Sequence, residues 1–202
     1  MAKKFKSEFI SLNDVYVLAE KLALKIKDAG FQPDLIIAIA RGGYVPARLL
    51  CDFLNIRHMA SIQVEHYSEG ATMEKKAIVK YPLNIDVNNN KVLLVDDVND
   101  TSESLLVSLD HIEQNNKVVL KTAVLHEKKI STYKADFVAE YHDEWRWLIY
   151  EWAVVEDIGS FVRKANVSSL NQAKLQLELD YDIHFTENRL KEILEFSNID
   201  LK

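Results

Sequence analysis

Two stretches of this chain carry residue types and spacings that could do chemistry. The first is Asp96-Asp97-Val98-Asn99-Asp100-Thr101-Ser102-Glu103-Ser104. Its adjacent carboxylates suit sugar hydroxyls or a hydrated metal. The polar turn behind them runs into an amphipathic segment with Leu105, Leu106, Leu109 and Ile112 on one face. A helix opening there aims free backbone N–H groups at the turn, where an anion is the favoured occupant. Carboxylates beside an anion cradle match a sugar phosphate. The second stretch is Ala40-Arg41-Gly42-Gly43, with Pro46 just beyond. The glycines let backbone approach oxyanions, Arg41 offers a fork of donors, and Pro46 suits a first helical turn. That is the make-up of a pyrophosphate loop. Asp100 with Glu103 also reads as a helix-capping pair, and both readings stand on spacing alone.

The elements that must hold these loops are legible around them. Val92 to Val95 is wholly apolar, as a strand buried on both faces of a parallel sheet is, and Leu35 to Ile39 has the same character. In an open α/β sheet, ligands sit at the carboxyl ends of such strands. Ser11 with Asp14 starts a helix whose buried face is Val15, Leu18, Leu22 and Ile26, and Gly30 ends it. Ala60 to Glu65 alternates like a strand, and the polar segment from His66 to Lys76 has the length of a lid. Ala77 to Leu83 reads as an edge strand, because Pro82 fits only an edge or a strand end. Val118 to Leu125 is a further buried-type strand, ending at His126-Glu127-Lys128-Lys129, and Asp136 to Glu140 is one more. The run Trp145 to Trp152 then packs three tryptophans into a short space, and an exposed indole is a plane on which a flat base stacks. Trp145 and Trp152 read as core or rim. Leu175 to Ile183 reads as helix, and Phe185 with Leu190 as a staple opening another.

With 202 residues and 48% hydrophobic content, the chain can bury one sizeable core with a small appendage. A net charge of −6 argues against broad nucleic-acid binding while permitting a locally basic anion site. The lone Cys51 cannot form an internal disulfide, and no apolar run approaches the roughly 18–20 residues of a membrane span. A cytoplasmic protein with neither nucleic-acid nor membrane partners is expected.

The first stretch resembles the signature of type I phosphoribosyltransferases: four apolar residues, two acids, and a short loop ending in Asp-Thr-Gly. Here serine, Ser102, stands where the family has glycine. The resemblance implies that Asp96 and Asp97 hold the ribose hydroxyls of phosphoribosyl pyrophosphate (PRPP). Asn99, Asp100, Thr101, Ser102, Glu103 and Ser104 would hold its 5′-phosphate, and Asp100 would be the catalytic residue facing the base. Ala40, Arg41, Gly42 and Gly43 resemble the Ser-Arg-Gly-Gly pyrophosphate loop of bacterial and archaeal 6-oxopurine enzymes, in which a cis peptide is expected at Ala40–Arg41. Tyr67, Lys75 and Lys76 would belong to the flexible loop that closes over PRPP. Lys128 matches a lysine that bonds the purine oxygen, with Lys129 where proline is common. Trp147 and Leu148 match the base-binding segment Trp-Ile-x-x-Pro-Trp, with Glu151 where proline stands. Mg2+ would be held mainly through PRPP, with a contribution from Asp96 and Asp97.

The implied fold is α/β, the type I phosphoribosyltransferase fold: a central, mainly parallel sheet flanked by helices, with a helical C-terminal extension. Residues 1–157 would form the phosphoribosyltransferase domain, including the base-binding segment 126–152, and 158–202 the extension. The implied activity is purine phosphoribosyl transfer in purine salvage, giving nucleoside monophosphate and pyrophosphate, in a homodimer. The lysine favours hypoxanthine or guanine. Adenine is the alternative, because Glu127 offers an acceptor and Lys129 and Glu151 replace prolines. A PRPP-binding regulator without catalysis is the alternative of another class.

Overall fold

The computed structural model describes residues 5–68, 75–114 and 117–201. The chain divides into two compact units, Val15–Trp145, and Met1–Asp14 together with Arg146–Lys202. In chain order the first elements are strand β1 (Ser7–Ile10), helix α1 (Leu12–Asp28), strand β2 (Leu35–Ala40), helix α2 (Tyr44–Phe53), and strands β3 (Met59–Ser68), β4 (Lys75–Tyr81) and β5 (Lys91–Asn99). Helix α3 (Glu103–Glu113) follows, then strands β6 (Val119–Lys128), β7 (Phe137–His142) and β8 (Trp147–Tyr150). A 3-10 turn (Glu151–Ala153) leads to helices α4 (Val154–Ala165), α5 (Leu170–Tyr181) and α6 (Glu187–Phe196).

The larger unit is built on six strands in the order β4-β3-β2-β5-β6-β7. All neighbours are parallel except the edge strand β4, which runs antiparallel to β3. Every residue of β2 is buried, and Val92 to Val95 of β5 have no exposed surface, because each strand is covered on both faces. β2 and β5 are adjacent, in register from Leu35↔Val92 to Ala38↔Val95. From β2 the chain moves through α2 to β3 on one side; from β5 it moves through α3 to β6 on the other. Strand order therefore reverses between β2 and β5, and the loops leaving their carboxyl ends flank a crevice. Both chemical motifs start on the strand ends and continue into those loops: Ala40 closes β2, and Asp96 to Asn99 close β5.

The other unit joins the two ends of the chain. β1 pairs in parallel with β8, from Ser7↔Trp147 to Ile10↔Tyr150. Helices α4, α5 and α6 bury Ile158, Phe161, Leu177, Leu190 and Ile193 in a common core with Ile149. Ser169 and Thr186 cap α5 and α6 by accepting from Gln172 N–H and Arg189 N–H. The expected helix over Leu175 to Ile183 is therefore present as α5. Ser11 and Asp14 form a reciprocal cap, with Asp14 N–H donating to Ser11 Oγ and Ser11 N–H to Asp14 Oδ2. Among the described residues, no helix is long and apolar enough to cross a membrane.

Candidate active site

Burial dominates the chemistry at the end of β5. Asp96 is buried and Asp97 half-buried, and they are neighbours in sequence. Burial, then the charge of Asp97, holds the Asp96 carboxyl well above the usual range. Burial pushes Asp97 up to about 6, although the Val98 N–H donates to its Oδ1 at 2.8 Å. Two adjacent carboxyls that resist ionising together are a fit place for a divalent cation or a polyol, either of which relieves the repulsion.

The glycine loop is packed against this pair. The Ala40–Arg41 peptide is cis, as the resemblance led us to expect. A Cβ on Gly42 would fall 2.3 Å from Asp97 Oδ2, and one on Gly43 would fall 2.4 Å from the Val95 carbonyl oxygen and 2.6 Å from that of Ile39. Only glycine allows the loop to lie this close to β5. Arg41 itself is exposed at the mouth of the turn.

Ser102, at the position where the resemblance has glycine, is left-handed at φ 79°, a conformation that glycine adopts at no steric cost. What keeps a serine there is a pair of hydrogen bonds: its hydroxyl donates to the Tyr133 carbonyl at 3.2 Å and accepts from the Tyr133 N–H at 3.0 Å. These belong to a strap formed by the segment after β6. Ser131 Oγ lies 2.7 Å from the Asn99 carbonyl oxygen, 3.0 Å from that of Asp100 and 2.7 Å from that of Lys128. Thr132 Oγ1 donates to the Thr101 carbonyl, and Asn99 Nδ2 donates to that of Tyr133. Residues 131–133 thus brace 99–102 almost one for one.

Glu127, the acceptor that favoured adenine in the sequence, is committed to this bracing. It is 1% exposed and accepts from Asn99 Nδ2 at 3.0 Å and from the Ala135 N–H at 2.8 Å. Both proline replacements also have uses. The Lys129 N–H donates to the His142 carbonyl, extending the β6–β7 ladder by a bond proline could not make. Glu151 Oε2 accepts from the Leu12 N–H at the start of α1.

Asp100 does not cap α3; the N-cap is Ser102. Its carboxylate instead receives Lys128 Nζ at 2.7 Å on Oδ2 and the Trp145 indole N–H at 3.2 Å on Oδ1. Lys128 is only 3% exposed. The two residues expected to face the base are thus brought together, and Trp145, expected at the core or rim, meets both.

Ser104 Oγ lies 3.2 Å from His66 Nε2, and Glu103 lies 3.5 Å from His66 Nδ1. His66, at the end of β3, was not singled out beforehand, since one histidine in a polar stretch carries no positional signal. Together these loops enclose a cavity of about 270 Å3 lined by Ala40, Gly42, Asp97, Asp100 and Ser104 among others. A larger cavity of about 950 Å3 lies in the C-terminal unit beside Glu187, Lys191 and Glu195, without the paired acids and glycine loop that mark the smaller one.

Most of the expected lid falls on residues 69–74, outside the described residues, as do the side chains of Tyr67 and Lys75. Their backbones pair across β3 and β4, Tyr67↔Lys76 and Ser68↔Lys75, and Lys76 is exposed. Trp147 and Leu148 lie on β8 in the C-terminal unit. There Trp147 meets Phe5 at 6.1 Å and Phe161 at 6.4 Å between ring centroids, and Leu148 is buried. Tyr150 stacks on Trp152 at 4.7 Å.

A second group of ligating atoms, on His126, Glu140 and His142, lies within 4.8 Å of one another. Burial first, then His142, Lys128 and Lys21, pushes His126 down to about 4. The nearby lysines oppose a cation there.

A mainly parallel sheet that reverses between β2 and β5, with a close-packed glycine loop and an acid-rich loop at its carboxyl ends, defines a doubly wound α/β protein with a ligand crevice at the reversal. Residues 11–156 match the phosphoribosyl transferase domain family, and the chain belongs to it. It is 30% identical over 147 residues to hypoxanthine-guanine phosphoribosyltransferase of Saccharomyces cerevisiae, covering 64% of this chain and 66% of that protein. The chain thus spans just under two thirds of that relative's length. It is 26% identical over 151 residues to xanthine phosphoribosyltransferase 1 of the same yeast, covering 59% of this chain and 72% of the relative. The crystal structure of a purine phosphoribosyltransferase from Pyrococcus horikoshii Ot3 superposes with a TM-score of 0.64 at 27% identity, covering 73% of this chain and 93% of that one.

Proposed function

We propose that the protein transfers the 5-phosphoribosyl group of PRPP to a 6-oxopurine base. The bond from the anomeric carbon to the pyrophosphate oxygen breaks, and pyrophosphate leaves with the electron pair. A bond to a purine ring nitrogen forms, and the proton of the imidazole ring passes to a base on the protein. The single observation that carries this reading is the buried Lys128 paired at 2.7 Å with Asp100 beside the phosphate loop. It supplies an acceptor for the ring proton and a donor for an exocyclic oxygen in one place. The family and the purine specificities in the names of the relatives support the same reading.

In this reading Asp96 and Asp97 hold the ribose hydroxyls as positive charge develops on the sugar. The amides and hydroxyls of residues 99–104 hold the 5′-phosphate at the start of α3. Ala40 to Gly43 receive the pyrophosphate, with Tyr67, Lys75 and Lys76 in the loop that closes over it. Asp96 and Asp97 are the residues that would contribute to a site for Mg2+ bound with PRPP, and the ion would supply positive charge against the leaving pyrophosphate. Trp147 and Leu148 keep their proposed contact with the base on family resemblance. The buried, unbridged Cys51 supports a reducing, cytoplasmic setting. A homodimer is proposed on the family resemblance.

Specificity follows from the donor. A 6-oxopurine presents an acceptor where adenine presents an amino group, which would leave the buried ammonium facing another donor. Such a mismatch is worth up to about 10⁴-fold when a site is built around the bond. The test is kcat/KM for hypoxanthine, guanine, xanthine and adenine with PRPP and magnesium, on the wild type and on Lys128→Ala. The expected result is a 6-oxopurine preference that collapses in the variant. An adenine preference untouched by the substitution would overturn the assignment of Lys128.

A further inference from the structure

Trp145 touches both members of the pair on which that specificity rests. Its indole N–H donates to Asp100 Oδ1 at 3.2 Å, and the center of its ring lies 4.6 Å from Lys128 Nζ. Lys128 in turn donates to the other carboxylate oxygen, Oδ2, at 2.7 Å. The three side chains therefore close a ring in which each oxygen of Asp100 has its own donor and the two donors touch.

Two physical consequences follow. A carboxylate's terminal torsion is broad, so a single anchor leaves its plane free to turn, and anchoring both oxygens fixes it. A desolvated ammonium has lost its water contacts, and an indole face restores part of them. Packing alone does not account for the arrangement. Trp145 is 40% exposed, so the residue keeps contact with solvent while its polar edge is turned to a carboxylate.

We propose that Trp145 is a positioning residue that sets the preference for 6-oxopurines, an inference that rests on the reaction proposed above. An ammonium has three protons to distribute. When the base arrives, Lys128 must turn some of them from Asp100 to the purine oxygen. The indole N–H then keeps the carboxylate plane aimed at the imidazole ring, and the ring face keeps the ammonium in place. With the indole gone, the lysine collapses onto the carboxylate and is withdrawn from the base.

The experiment compares Trp145→Phe, which keeps an aromatic face and loses the donor, with Trp145→Leu, which loses both. In Trp145→Phe, kcat/KM for hypoxanthine falls about tenfold, the order for one hydrogen bond to a charged group, while KM for PRPP stays within about twofold. In Trp145→Leu the loss is larger, and the ratio of hypoxanthine to adenine kcat/KM falls with it. Equal losses toward PRPP and base, or an unchanged ratio in Trp145→Leu, overturn the proposal.

An independent arm needs no turnover. Nitrogen-15 spectra of the ligand-free protein contain one indole N–H resonance per tryptophan, and Trp145→Phe identifies that of Trp145. Asp100→Asn is expected to shift that resonance and leave the other two in place. An unmoved resonance overturns the proposal. If no purine is ribosylated by the wild type, the proposed reaction fails and the specificity role fails with it. A shifted indole would then still establish the Asp100 contact, so the two failures are told apart.

Discussion

Asp97 carries a charge that the fold opposes, and the opposition has a sign that can be measured. Its proton is held up to about 6, mainly by burial, against an ordinary value of 3.8. Below about pH 4 both native and unfolded chains hold this proton. Between there and about pH 6 the unfolded chain releases it while the native one retains it, so this group's contribution to stability declines as pH rises through that window. Asp97→Asn is therefore expected to raise the melting temperature of the ligand-free protein at pH 7.5 by several degrees, where about 1 kcal/mol corresponds to about 2–4 °C in a chain this size. In the proposed reaction it should also weaken PRPP binding. Subtracting the variant's melting curve from the wild type's across pH 4–8 gives the contribution of Asp97 together with its effect on Asp96, and parallel curves would remove the account. Ser102 offers a second residue-scale test. Left-handed backbone costs a non-glycine residue about 1–2 kcal/mol, and two bonds to Tyr133 of about 1 kcal/mol each offset it. In urea titrations Ser102→Ala, which keeps the strain and loses the bonds, should cost about 2 kcal/mol. Ser102→Gly, which loses both, should stay within about 1 kcal/mol of wild type. Spacing exposed the acids and the serine but not these partners. The Tyr133 backbone lies about thirty positions away, and no pattern in a loop announces a contact at that distance. Trp145 escaped for the same reason: in a tryptophan-rich run, nothing in the spacing separates the indole that meets a carboxylate from those that pack.

At the scale of elements, the central strands were legible because burial on both faces leaves a continuous apolar run, and β2 and β5 have one. Their carboxyl ends were legible because polar or glycine-rich turns interrupt those runs abruptly. The strap was not, because its hydrogen bonds join two loops through backbone carbonyls, which any sequence possesses. The strap yields its own prediction. Ser131 Oγ contacts three carbonyls but has one proton to give, so its loss removes a tie that keeps the 99–102 segment and Lys128 in one geometry. Ser131→Ala should raise KM for PRPP about five- to tenfold while lowering global stability by only about 1–2 kcal/mol. Initial-rate kinetics with PRPP varied at saturating base measure this. An unchanged KM would mean that the loop holds its shape through Glu127, Asn99 and Ser102 alone.

At the scale of the whole chain, the sequence placed a boundary after residue 157, where the family resemblance ends. Helix α4 runs from Val154 to Ala165 through that point, so a cut there would divide one helix. The compact unit that contains α4 begins at Arg146 and takes in the first fourteen residues as well. A four-residue strand such as β1 has too short a pattern to reveal its partner, and β8 lies far along the chain. Phe5 shows what this joining of the ends contributes. Its ring lies 5.0 Å from Tyr181, 5.8 Å from Phe161 and 6.1 Å from Trp147, and Phe161 stacks on Tyr181 at 4.2 Å. Its N–H donates to the Asp180 carbonyl, and the Trp147 N–H donates to that of Lys6. Removing a buried phenyl costs about 3–5 kcal/mol, and a partly buried one less, so Phe5→Ala is expected to destabilise this unit by about 2 kcal/mol. Ending the chain at 157 should do far more, since it removes Phe161, Leu177, Leu190 and Ile193 from the core that covers Ile149 and Val154. Near-ultraviolet circular dichroism reports on the stacked aromatics. Phe5→Ala should lower the midpoint at which that signal is lost, and the truncated chain should lack the signal of the Phe161–Tyr181 stack and bind a hydrophobic dye. A truncated chain that melts cooperatively at the wild-type temperature and binds no dye would show that the first 157 residues need nothing from the C-terminal helices.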